Sequence, residues 1–300
     1  MQLTPRYDGP DLLRWEVPLG NPAVPLLRQR ERLAGVLHGL DASQWAAPSR
    51  CQGWTVQDVI THLVGTNQFW AISIAAGRQG APTQYLATFD PVATPEHMVD
   101  AVRDQSAVDI LAGFVESNTA IADALAGTSD AEWLAPAEAP PGHVPLCALV
   151  AHALWDSWIH ERDVVVPLGL EPVAEPDELA LCLKYAAALS PMFLASLGST
   201  RTGALIVDAV DPDVGFVVDI GSTVVVRSGA SPVEAARLTG DAAELIEGLS
   251  FRRSLAPGVA PAEAWMFGGL AEVFDVAHPV PASISRAQRE KPGVRTRRTD

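Results

Sequence analysis

The spacing of hydrophobic residues changes partway along this chain, and that switch restricts the available folds more than any other feature. Up to about residue 197 the apolar residues recur at intervals of three and four. From Ala204 to Arg227 they fall instead into short β-branched runs, ALIVDAV, GFVVDIG and STVVVRS, bounded by Asp-Pro, Gly and Ser. The first pattern gives a helix one apolar face, and the second gives strands joined by tight turns. A helix is expected over 22–40, where Leu26, Leu27, Leu33, Val36, Leu37 and Leu40 share a face. A second starts at Thr55, where Thr55 and Asp58 resemble a capping box with Asp in place of the usual Glu. A third is expected from about Pro95 to Leu125. A fourth runs from near Pro145 until Pro167 and Gly169 stop it, and another spans about 176–197. After the strands, SPVEAARLTGD, AAELIEGLSF and AEAWMFGGLAEVF read as helices. The expected fold class is therefore α+β: an antiparallel four-helix bundle over 1–175, then a small α+β domain over 176–285. The linker lies in LGLEPVAEPDE, and a solvated basic tail covers 286–300.

Composition excludes several function classes. At 300 residues the chain can bury a large core without disulfide staples. A net charge of −15 would repel a phosphate backbone, so a nucleic-acid partner is not expected. No stretch of 18 uncharged apolar residues appears and the N-terminus has no apolar signal core, so neither a membrane span nor secretion is expected. Cys51, Cys147 and Cys182 are odd in number and form no Cys-x-x-Cys pair, which suits a reducing cytoplasm. Lys184 and Lys291 are the only lysines, an Arg-rich bias of the kind found in high-GC bacteria.

The fourth helix carries His152, Asp156 and His160 at successive four-residue steps, which puts all three on one face. Two imidazoles and a carboxylate suit a divalent transition metal better than magnesium or calcium. One helix rarely supplies three ligands, because roots two turns apart stand ~12 Å from each other. An adjacent pair completed by a ligand from another helix is easier, and His62 on the second helix can meet Asp156 and His160 across a bundle interior. The same residues also read as hydrogen-bonded core histidines and a buried acid. His152 reads as a support for the ligands or a packed residue. His38, His97, His143 and His278 show no partner pattern. Trp54, Phe69, Trp70, Trp155 and Trp158 read either as pocket walls or as core.

The segment PSRCQGWTVQDVITHLVG, followed about a hundred residues later by DSWIHERDVVVPLG, resembles the mycothiol-dependent maleylpyruvate isomerase family. That family belongs to the DinB-like metal-binding four-helix bundles. The strand-rich half, including TGDAAELIEGLSF, is similar to its sterol-carrier-like C-terminal domain. The resemblance implies a divalent metal, usually zinc, on His62, Asp156 and His160, with Asp156 standing where the isomerase has Glu. It also implies mycothiol, the small thiol of actinobacteria, as cosubstrate. Arg252 matches an arginine that follows a Gly in the family, with Phe251 replacing that Gly, and either grips a substrate carboxylate by a forked pair of hydrogen bonds or is a solvated helix-end cation. The implied activity is attack of a metal-bound thiolate on a small electrophilic molecule, ending in isomerisation or S-transfer. A non-thiol enzyme of specialised metabolism on the same fold, or a non-catalytic metal-binding regulatory or stress protein, fits the same residues.

Overall fold

The computed structural model describes residues 3–18, 20–230, 235–255, 260 and 262–274. In chain order it contains β1 (Leu13–Glu16), α1 (Ala23–His38), α2 (Ala42–Trp45), α3 (Val56–Arg78), α4 (Ala93–Asp100), α5 (Ala107–Leu125), β2 (Pro136–Ala139) and β3 (Gly142–Pro145). There follow α6 (Leu146–Val165), α7 (Pro176–Ser196), β4 (Gly203–Val210), β5 (Val214–Ile220), β6 (Val224–Arg227), β7 (Ala236–Asp241), α8 (Ala242–Leu249) and α9 (Gly268–Phe274). Helices α1, α3, α5 and α6 form the bundle, with α3 and α6 packed directly on each other. The α+β class expected from the change of period is the one observed.

Five strands make one sheet in the order β1-β6-β5-β4-β7. Helices α7 and α8 lie against it, α7 on β5 and β6 and α8 on β4 and β7. Along β7 and β1 buried and exposed residues alternate, as a sheet with one covered face requires. Helix α7 is long and apolar enough to cross a membrane by composition, but most of its surface is buried, and it contacts α6, α8, α9 and the sheet. Ion pairs also fasten it to the bundle: Arg32 reaches Glu161 at 2.9 Å and Glu178 at 2.7 Å.

Three expectations about elements need correction. The third helix is not continuous over 95–125. It breaks after α4, and Ser106 caps α5 by accepting from Asp109 N at 3.2 Å, while Arg103 turns back to Asp58 at 3.1 Å. SPVEAARLTGD does not form a helix over its described part. Ala236–Asp241 pairs in parallel with β4, burying Ala236 and Leu238 and exposing Arg237 and Thr239. The third correction is that strands form where none was expected. LRWE adds to the sheet beside β6, and β2 and β3 form a hairpin before α6. The basic tail over 286–300, the stretch 275–285 and His278 lie outside the described residues.

Candidate metal centre

The loop that leads into α3 is shaped by its own short-range bonds. Ser49 N donates to Trp54 O at 2.9 Å, Val56 N donates to Ala47 O at 2.9 Å, and Gly53 takes a φ of +82° that L side chains rarely adopt. The capping box at Thr55 and Asp58 is present in both directions, Asp58 N to Thr55 Oγ1 at 3.2 Å and Thr55 N to Asp58 Oδ2 at 2.9 Å. These bonds set where α3 begins, and two turns later the helix presents His62 to α6. From α6 come Asp156 and, one turn on, His160.

The ligand atoms of His62, Asp156 and His160 all lie within 4.8 Å of one another. His160 Nε2 stands 3.6 Å from Asp156 Oδ1, and the rings of His62 and His160 meet edge to face at 5.0 Å. All three residues are half-buried. Asp156 accepts a long hydrogen bond from Thr66 Oγ1 at 3.4 Å. Burial opposes its ionisation, but His160, His62, His152 and Arg30 together outweigh that effect and hold its pKa below the ordinary value. Burial pushes the His62 imidazole down to about 4, against the pull of Asp156. For His160 burial acts in the same sense, yet the hydrogen bond to Asp163, together with Cys51 and Asp156, raises its pKa to about 10. A neutral His62 imidazole, a protonated His160 imidazole and a carboxylate thus face one another across a gap; once His160 gives up its Nε2 proton, two imidazole nitrogens and a carboxylate oxygen form a donor set that fits a divalent transition metal.

A second group lies directly behind the first, and sequence reasoning missed most of it. His160 Nδ1 donates to Asp163 Oδ2 at 3.0 Å. Asp163 is fully buried and also accepts from Cys51 Sγ at 3.2 Å. Arg252 closes on it from the C-terminal region, with Nε 2.8 Å from Oδ1 and Nη2 2.6 Å from Oδ2. Burial is outweighed by these partners, so the Asp163 carboxyl sits well below the usual carboxylate range. Arg50 adds its Nε at 3.5 Å from Asp163 Oδ1 and reaches Glu247 at 2.8 Å. The structure therefore places the Arg252 fork on a protein carboxylate, not in open solvent. Cys51, His160 and Asp163 form a second set of metal-capable atoms, reached through Nδ1 of His160, whereas Nε2 faces Asp156. The three-residue step from His160 to Asp163 on a helix was the available signal.

His152 does not join the cluster. Its Nδ1 lies 2.6 Å from Tyr185 Oη, and it packs against Trp70, Trp155 and Tyr185. Burial pushes its pKa down to about 4. Of the aromatic candidates, Trp70 and Trp158 are core residues, whereas Trp54, Phe69 and Trp155 are half-buried. Trp54 stands 5.4 Å from the His62 ring, and Trp155 Nε1 bonds Ser250 Oγ at 2.8 Å. His143 Nε2 lies 2.8 Å from Thr83 O, and His38 and His97 are exposed.

Residues 26–165 match the family model described as mycothiol maleylpyruvate isomerase N-terminal domain. Two solved structures share the fold: the mycothiol-dependent maleylpyruvate isomerase, with a TM-score of 0.54, and a histidine-to-alanine mutant of it, with 0.55. Each is 18% identical, and each alignment covers 82% of this chain and 95% of the other. No curated protein matches.

Proposed function

We propose that this protein, whose residues 26–165 match the mycothiol maleylpyruvate isomerase N-terminal domain model, is a metal-dependent enzyme acting with mycothiol on a small electrophilic molecule. One observation carries the reading: two imidazoles and a carboxylate from two helices bring their donor atoms within 4.8 Å of one another. His62, Asp156 and His160 would hold the ion, and a divalent metal, zinc above all, supplies a Lewis acid that favours the thiolate over the thiol.

The chain's own residues do the rest. Asp156 adds one negative charge to an otherwise neutral ligand set. Thr66 steadies its outer oxygen at 3.4 Å. Trp54, 5.4 Å from the His62 ring, would help wall the reacting groups from bulk water, which strengthens the electrostatics within. The thiolate adds to an electron-poor carbon of the substrate. For a substrate such as maleylpyruvate, the former double bond then rotates and the thiolate leaves, so the thiol is regenerated and the product is an isomer. With a leaving group on that carbon, the same attack ends in S-transfer. The shorter carboxylate of Asp156, where the isomerase resemblance implies Glu, sets the ligand oxygen back by one methylene.

The test uses untagged full-length protein. The expected result is about one divalent metal per chain by elemental analysis, lost in His62→Ala and His160→Ala. Metal-loaded protein should either isomerise maleylpyruvate in the presence of mycothiol or consume mycothiol with an electrophile such as a haloalkyl bimane. Metal-loaded protein that accelerates neither reaction removes the thiol chemistry, and protein that takes up no metal removes the whole reading.

A further inference from the structure

We propose that Asp163 is a positioning residue for His160, and that Arg252, reaching in from beyond α8, is the built-in cation that holds Asp163 in place. This rests on the reading of His62, Asp156 and His160 as the metal ligands. The two nitrogens of the His160 ring meet different carboxylates. A carboxylate oxygen 3.0 Å from His160 Nδ1 can only accept, so Nδ1 carries the hydrogen. A metal can therefore displace only the Nε2 proton, leaving the lone pair on the nitrogen that faces Asp156 at 3.6 Å. A ligating histidine whose far N–H is held by a carboxylate is fixed in both tautomer and ring rotation.

The geometry also decides between the two sets of metal-capable atoms. Both contain His160, but its Nδ1 faces Asp163 at 3.0 Å and Cys51 Sγ at 3.6 Å while its Nε2 faces Asp156 at 3.6 Å, so they need opposite nitrogens. In the set made by Cys51, His160 and Asp163, positive charge is already in place. Arg252 Nη2 is 2.6 Å from Asp163 Oδ2 and 3.7 Å from Cys51 Sγ, and Arg50 Nε is 3.5 Å from Asp163 Oδ1. A second ion there would meet two guanidinium groups. The set made by His62, Asp156 and His160 has no such cation among its hydrogen bonds and ion pairs within the described residues.

A structural feature of the Arg252 segment supports the assignment. Phe251 has a φ of +59°, in the left-handed region that non-glycine residues rarely enter. It follows Ser250, which accepts from Trp155, and precedes Arg252, whose backbone N donates to Glu247 O at 2.9 Å. The turn that aims Arg252 at Asp163 is thus held at both ends, and the conformation of Phe251 points to a surrounding structure that over-determines it.

The experiment compares full-length wild type, Asp163→Asn, Asp163→Ala and His160→Ala by titration with cobalt(II) and zinc(II) against a competing chelator. It adds nitrogen-15 imidazole spectra of the zinc-loaded wild type. Asp163→Ala should weaken metal binding by about ten- to a hundredfold, as loss of an outer hydrogen-bond partner to a ligating histidine does. Asp163→Asn, which keeps one accepting oxygen and nearly the same shape, should lose less. The wild type should show His160 metal-bound through Nε2, with a slowly exchanging proton on Nδ1 and one ion per chain. The proposal is overturned if the wild-type ring is ligated through Nδ1, or if folded Asp163→Asn and Asp163→Ala both bind as tightly as wild type. It is also overturned by two ions per chain with Cys51 shielded from alkylation. If Asp163→Ala does not fold, the asparagine variant and the wild-type spectrum still decide. A wild type that binds no metal fails differently, since it refutes the ligand reading itself.

Discussion

Glu138 and Asp156 are both carboxylates set into the bundle, and the protein treats them in opposite ways. Glu138, on β2, is fully buried and accepts from Tyr7 Oη at 2.6 Å, Thr83 Oγ1 at 2.6 Å, Tyr85 N at 2.9 Å and Leu86 N at 2.7 Å. Its charge is spread over four donors, and it ties the N-terminal segment to the hairpin. Asp156 accepts one long bond from Thr66 and otherwise faces imidazoles. The first carboxylate is closed and serves the fold. The second keeps its coordinating capacity open, which a site that takes up a ligand requires.

This contrast can be broken by experiment, most forcefully at Glu138. Glu138→Ala should cost about 3–5 kcal/mol by chemical denaturation, because two hydroxyls and two backbone N–H groups lose their acceptor. Metal binding by the folded fraction should be unchanged. A loss under ~1 kcal/mol would show that the four bonds are incidental. Asp156→Ala should do the reverse. Metal-free stability should fall only modestly, since the imidazoles and Arg30 that favour the Asp156 carboxylate work against its burial. Calorimetry should show that the stabilisation by zinc, about 2.7 kcal/mol at a hundredfold excess over Kd, has disappeared.

Acid titration of the metal-free protein sharpens the comparison further. His152 titrates near 4 when folded and near ~6.5 when unfolded, so between these values the unfolded chain binds more protons. His152 alone should therefore lower stability on the order of 2–3 kcal/mol as pH drops from ~6.5 to about 4, with His62 adding to the fall in the same sense, and the His152 ring signals should titrate near 4 by NMR. His160 has the opposite sign. Its contribution is full below ~6.5 and is lost as pH rises toward about 10. The smallest effect is expected at Thr66→Val, which removes only the 3.4 Å bond to Asp156. It should change stability by under ~0.5 kcal/mol and metal affinity only slightly, and a large loss of affinity would mean that Asp156 depends on Thr66 for its aim.

Much of this was legible before any coordinates. The spans of α1, α3, α6 and α7 follow from apolar stripes and end signals, and Thr55 with Asp58 marks the start of α3 as the structure has it. Asp156 and His160 stand out because steps of four residues on α6 share a face, and His62 because a ligand from another helix completes such a pair, as the family resemblance also implies. What escaped has a common cause. LRWE, the hairpin strands and ARLTGD are too short for a periodic signal, and each becomes a strand only because a distant strand offers its edge, as β6 does for Leu13–Glu16. The break after α4 was missed because Ser106 competes locally as a cap within a continuous apolar pattern.

The amino-acid sequence by itself determined that α1, α3, α6 and α7 are helical and that Asp156 and His160 share a face, because both depend on interactions a few positions apart on one helix. Only the tertiary structure decided that Glu138 is closed while Asp156 is open, and that Arg252 is spent on Asp163. These outcomes are set by partners such as Tyr7 and Thr83 for Glu138 and Cys51 and Arg252 for Asp163, which are far apart along the chain and meet only when the bundle and the sheet region pack together. A buried charge takes its role from every donor that surrounds it, and that set exists only in the folded chain.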